Sequence, residues 1–150
     1  MTTAQVRGLT TTQVVALTTA QVDKLTSSQI SALTSAQVKA IETGDLQKLT
    51  AEQLASISTA ALAGLTTDQM VALTTAQIDK LTSAQVNVLS STQVGAIETA
   101  DLAKLTAEQV TSISTSALAG LSTMQASKLS SDQLAALSTA QVAVLSTANV

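Results

Sequence analysis

The sequence contains no cysteine, histidine, proline, phenylalanine, tyrosine or tryptophan. Without cysteine there is no disulfide framework and no thiolate metal site. Without histidine as well, a catalytic nucleophile is left with only carboxylates and seven lysines and arginines as partners. Without aromatics, a 150-residue chain lacks the side chains that usually supply large buried area in a globular core, so its core has to be thin and aliphatic. Charge is sparse: ten acids and seven bases, net −3, spread singly along the chain. That leaves no basic footprint for a nucleic-acid backbone or an anionic membrane. Apolar runs such as Ala60-Ala61-Leu62-Ala63-Gly64-Leu65 fall far short of the roughly 20 residues a membrane span requires. These absences predict no enzyme activity, no cofactor, no bound metal, no nucleic-acid partner and no membrane span. Met1 opens directly in the repeat, with no signal peptide in view.

What the chain does have is a period of eight residues. Nineteen positions from Met1 through Leu9, Leu17 and Leu25 to Leu145 are Leu, Ile or Met. The residue five places after each is apolar too, from Val6 to Val150, with Ala126 the only small one. A fixed period marks a repeat array, not a globular domain. Labelling the octad a to h from the large aliphatic residue, position b is Thr or Ser in 17 of 19 units, the exceptions being Glu42 and Glu98. Position e is Gln in 14 of 19, replaced by Asp45, Asp101, Ala61, Ala117 and Asn149. Position f is the second apolar site.

In the unit Leu17-Thr18-Thr19-Ala20-Gln21-Val22-Asp23-Lys24, four positions agree on a helix start. Thr18 suits the N-cap and Gln21 the N3 position of a capping box, while Leu17 and Val22 stand at the two ends of a hydrophobic staple. A continuous helix is excluded because eight residues advance it by about 800°, so the apolar pair would rotate about 80° per repeat and never form a stripe. The expected unit is therefore a short helix over c to g followed by a corner at h-a-b. Lys and Gly recur at h, as at Lys24, Lys80, Gly64 and Gly120, which suits a helix C-terminus by charge or by positive φ. The fold class that follows is all-α, a superhelical solenoid of eight-residue repeats. The alternative is a β-solenoid, favoured by Thr, Val and Ile but short of corner residues, with five Gly and two Asn in the whole chain.

A longer period overlies the octad. Residues 9–64 and 65–120 agree at 41 of 56 positions, and the atypical units return together. Ile41-Glu42-Thr43-Gly44-Asp45-Leu46 reappears as Ile97-Glu98-Thr99-Ala100-Asp101-Leu102, and the Ala61 octad as the Ala117 octad. A partial third copy covers 121–150, so the organisation is one solenoid over 1–150, with nineteen octads of which the last is incomplete. Duplication of a seven-octad block is the economical account; a beat of seven octads per whole number of superhelical turns is the less economical one. Met1 at a and Val150 at f leave both ends without the atypical polar repeats that usually cap solenoids. This predicts a segment of a longer array, or end-to-end self-association into a homo-oligomer or filament.

Runs such as Leu73-Thr74-Thr75-Ala76-Gln77-Ile78-Asp79-Lys80-Leu81-Thr82 resemble the octapeptide arrays of very large repetitive bacterial surface or secreted proteins, of the adhesin-like kind often labelled "heme utilization". The resemblance covers the whole chain and implies an extracellular or cell-surface location and a structural role as stalk, spacer or filament unit. It implies no catalytic residues. The heme label finds no His, Cys or Tyr to serve as axial ligand.

Three features are candidate sites, each with a plainer reading beside it. Glu42/Asp45 and Glu98/Asp101 place two carboxylates three residues apart at a helix start, suited to a cation or an acid/base pair. The plainer and preferred reading is Asp standing in for Gln at N3, near the positive end of the helix. The Ser and Thr rows at b and c offer a hydroxyl face for ice, a carbohydrate surface or O-glycosylation, against simple capping, which is preferred. Met124 beside Ala126 reads as apolar bulk moved from f to d to fill a gap.

Overall fold

The structure, a computed structural model, describes residues 1–148. Asn149 and Val150, assigned above to positions e and f, lie outside the described residues. The chain is all-α: short helices separated by corners, with no strand among the described residues. This removes the β-solenoid alternative. Typical helices occupy c to g, as in Thr19–Asp23, Ser27–Ser31 and Ser83–Asn87. A sixth residue joins in Ser35–Ala40 and Ala107–Ser112. Only four remain in Thr43–Leu46, Thr59–Leu62, Thr99–Leu102 and Thr115–Leu118, the octads that lack Gln at e.

The capping box sets these boundaries. At each of the 14 glutamines of position e, the b hydroxyl accepts from the Gln backbone N–H while the Gln Oε1 accepts from the b backbone N–H. At Thr18/Gln21 these bonds are 3.3 and 2.8 Å, and at Ser138/Gln141 they are 3.2 and 2.9 Å. The cap residue is extended, Thr18 at φ −77°, ψ 155°, so the preceding helix stops there. A break was also expected at Ser146, but the helix Thr139–Ala148 runs through it. That octad carries Asn149 at e, and asparagine is outside the Glu/Gln pair whose side chain completes a capping box.

Glycine at h serves another purpose than the positive φ expected of it. No residue among those described has positive φ, and the h residues end their helices in ordinary conformations, Gly8 at φ −81°, ψ −5°. Gly64 and Gly120 are instead sites of close approach between turns. A Cβ on Gly64 would lie 2.9 Å from the Cβ of Ser35, and one on Gly120 would lie 2.0 Å from the carbonyl oxygen of Ser91.

Each helix packs on the one three places along the chain, Thr11–Val15 on Ser35–Ala40 and Ser83–Asn87 on Ala107–Ser112 among them. Hydrogen bonds between turns join residues 25 to 31 apart and cluster at 28. One superhelical turn therefore takes about 28 residues, or 3.5 octads, and two turns span the 56-residue block.

The core is a single thin column of a and f side chains, and the two positions face opposite ways along the array. From Val6 to Leu118 every f residue is at most 3% exposed, whereas in the final turn Leu134 and Val142 are 45% and 48% exposed. In the first turn it is the a residues that are open: Met1 is 61% exposed, Leu9 and Leu17 half-buried, and from Leu25 onward all are buried. So f is covered by the turn that follows, and a by the turn that precedes.

Candidate functional site

The repeated constellation is the seam between turns, and its central residue is the glutamine at e. With Oε1 held in the capping box, Nε2 is left to donate, and it points at the C-terminal end of a helix one turn earlier. Gln37 Nε2 donates to the carbonyls of Val6, Arg7 and Leu9 at 2.9, 3.1 and 2.7 Å. Gln69 repeats this on Val38, Lys39 and Ile41, and Gln85 on Leu54, Ala55 and Ile57. In ten glutamines from Gln37 to Gln141 the bond to the a carbonyl 28 residues back is 2.6–2.9 Å, and Gln29 makes the same bond to the Met1 carbonyl. These ten side chains are buried. One amide thus satisfies the first N–H of its own helix and the last carbonyls of another, groups that every helix leaves without intrahelical partners.

Reading the octad as a helix start captures the first of these roles and misses the second. The signal was available: a capping box accepts Glu as readily as Gln, yet position e holds 14 Gln and no Glu. Only an amide can donate outward while its oxygen stays in the box.

The carboxylate candidates separate. Glu42 and Glu98 are exposed N-caps whose side chains make no cap hydrogen bond. Asp45 and Asp101 are buried, and neither forms the capping box expected of an N3 stand-in. Their shorter side chains accept instead from the previous turn, Thr19 Oγ1 to Asp45 Oδ1 and Thr75 Oγ1 to Asp101 Oδ1, both at 2.6 Å. The substitution exchanges an amide-to-carbonyl seam for a hydroxyl-to-carboxylate one. No group of three or more metal-ligating side chains occurs among the described residues. The Ala61 and Ala117 octads make a third kind of seam, in which Gly64 and Gly120 let the helix settle directly on Ser35 and Ser91.

Among the described side chains the b hydroxyls are occupied by capping, so the hydroxyl face consists of position c and scattered others. An open groove of about 550 Å³ runs between turns beside Ser35, Lys39, Thr66, Ser90 and Thr92. Met124 does not fill the space beside Ala126: it is 67% exposed. Positions d and f are two residues apart, about 200° around a helix, so a d side chain cannot reach the f pocket.

Residues 1–27, 38–75, 70–96 and 94–131 match the ALTTAQ repeat family. Comparison with the curated proteins gives no match. The family's six letters stand verbatim at Ala16-Leu17-Thr18-Thr19-Ala20-Gln21 and Ala72-Leu73-Thr74-Thr75-Ala76-Gln77, spanning the corner, the cap and the seam glutamine. With most of its length matched in tandem, the chain belongs to the ALTTAQ repeat family.

Proposed function

We propose that the chain is a non-catalytic structural repeat segment, a spacer or stalk of an extracellular or cell-surface bacterial protein. The observation that carries this reading is the glutamine relay from Gln37 to Gln141. Each turn presents the same acceptors to the next, so adding octads adds length without asking for a new interface. A repeat family match along most of the chain and the likeness to bacterial surface arrays support the same assignment. End-to-end self-association is the interaction such a unit would make. Small-angle scattering on arrays of increasing octad number tests it: length should rise in proportion at constant cross-section, and a globule-like growth in all dimensions would overturn it.

A second reading, a module binding carbohydrate or ice, draws on the groove hydroxyls outside the caps, those of Ser35, Thr67 and Thr92. For ice, hydroxyls carried on packed helices recur at about 8–10 Å, which is wide for a dense flat lattice. Glycan-array binding that is lost in Ser35→Ala/Thr92→Ala would favour this reading; no binding would leave the spacer.

A further inference from the structure

The glutamine relay skips the Ala61 octad, and the skip opens on a groove. Elsewhere the e amide ties together two backbone groups, the N–H of its own cap residue and the a carbonyl 28 residues earlier. Ala61 has no such side chain, so Ser58 forms no capping box, and only its hydroxyl is used, accepting from the Ala61 N–H at 3.2 Å. Counting back 28 residues from Ala61 reaches Leu33. The a carbonyls on either side of it, Leu25 and Ile41, accept from Gln53 and Gln69 at 2.6 and 2.8 Å. The Leu33 carbonyl accepts no hydrogen bond among the described residues, although Leu33 is only 5% exposed. Buried backbone groups are almost always paired. The helix Thr59–Leu62 packs on Ser35–Ala40 and leaves its other side open as a groove of about 380 Å³, lined by Ser31, Leu33, Ser58, Ala61 and the exposed Arg7.

We propose that this groove binds a primary carboxamide supplied in trans, as carried by a glutamine side chain of a partner polypeptide. The inference goes beyond the spacer reading and does not rest on it. The buried carbonyl, not the cap, is the group that calls for a ligand. Recognition repeats the bonds of the internal glutamines: the ligand NH2 donates to the Leu33 carbonyl and its oxygen accepts from the Ser58 N–H. Both charged relatives fit worse. A carboxylate has no proton for the Leu33 carbonyl, and the chain itself never places Glu at e. An ammonium has no acceptor for the Ser58 N–H and meets the like charge of Arg7 on the same groove. The omission recurs at Ala117, opposite Leu89 and Ser114, but Asn87 and Val88 stand there in place of Ser31 and Ala32. The smaller pair makes Ala61 the roomier of the two positions.

A nitrogen-edited NMR titration of the full chain with propionamide tests the site. The Ser58 amide, which donates to the ligand, and the Thr34 amide, which shares its peptide group with the Leu33 carbonyl, should shift saturably. A Kd of about 1–50 mM suits so small a ligand. N,N-dimethylpropionamide, which accepts but cannot donate, and propionate should each bind at least about tenfold more weakly. Two variants close the groove. Ala61→Gln supplies the amide in cis and should move both resonances without ligand and remove the propionamide response. Ser31→Trp changes an exposed residue of the groove wall and should block entry while the far-UV circular dichroism stays that of the wild type; it carries the test by itself if Ala61→Gln does not fold. No saturable shift at Ser58 and Thr34 with propionamide, an equal response to N,N-dimethylpropionamide, or a response that survives in either folded variant overturns the site.

Discussion

At the scale of single residues, the same substitution should have opposite consequences depending on which turn it occupies. Gln85→Glu keeps the box with Thr82 but removes the donor that serves Leu54, Ala55 and Ile57 and buries a carboxylate against those carbonyls. The expected loss is about 2–4 kcal/mol in denaturant unfolding. Gln13→Glu, whose amide meets no carbonyl among the described residues, should change stability by less than about 0.5 kcal/mol. Equal effects at the two sites would show that capping alone, and not the bond between turns, sets the value of this position. Glycine offers a parallel contrast. Gly120→Ala drives a methyl into the Ser91 backbone and should cost about 1–3 kcal/mol. Gly44→Ala, in a helix with nothing within 4 Å of the new carbon, should stabilise by about 0.4–1 kcal/mol. Thermal unfolding of the two variants side by side checks the sign of each.

At the scale of the element, an octad is a helix too short to persist alone, held by its cap and its neighbours. Thr82→Ala removes the hydroxyl that accepts from the Gln85 N–H at 3.1 Å and should cost about 1 kcal/mol, while Thr82→Ser should be nearly silent. The sequence itself already makes that exchange at Ser122, Ser130 and Ser138. Helix start, corner and buried pair were legible because each rests on contacts within one octad: cap hydroxyl, N3 amide, staple. The seam was not, because it depends on how far each corner rotates the chain, and no residue within an octad encodes that angle by itself. The same limit explains the two glycines, read as conformational and found to be steric; Met124 is different, since the roughly 200° between d and f already lies within one octad. Asp45 and Asp101 were legible as departures from the pattern, but their Thr19 and Thr75 partners, 26 residues earlier, belong to the turn and not to the octad.

At the scale of the whole molecule, stability is a sum over seams with almost no electrostatic share. The ion pair found among the described residues, Lys24 to Asp23 at 3.7 Å, is on the surface with the lysine side chain 84% exposed, and such pairs contribute little. The unfolding midpoint should therefore shift by no more than a few degrees between low and high sodium chloride; a steep dependence would reveal charge coupling that the fold does not show. Length can be tested by excision. Removing 65–120 joins Gly64 to Leu121, restores the octad and takes out two turns, so the rod should shorten by about 16–20 Å in solution scattering with its helical spectrum per residue unchanged. Removing 65–92, a single turn, joins Gly64 to Gln93 and breaks the octad, so it should unfold the chain locally.

The half-integer count of octads per turn has a consequence for how such a rod can grow. A thread of about 28 residues per winding and a tooth of eight come back into step near 56 residues. Splicing in one such cassette lengthens the shaft without rotating it. Two attachments placed on either side of the new material keep the same compass bearing, whereas one extra octad would swing them apart by more than a quarter of a circle, roughly 100°. A gene that expands by this cassette can tune reach while leaving aim untouched.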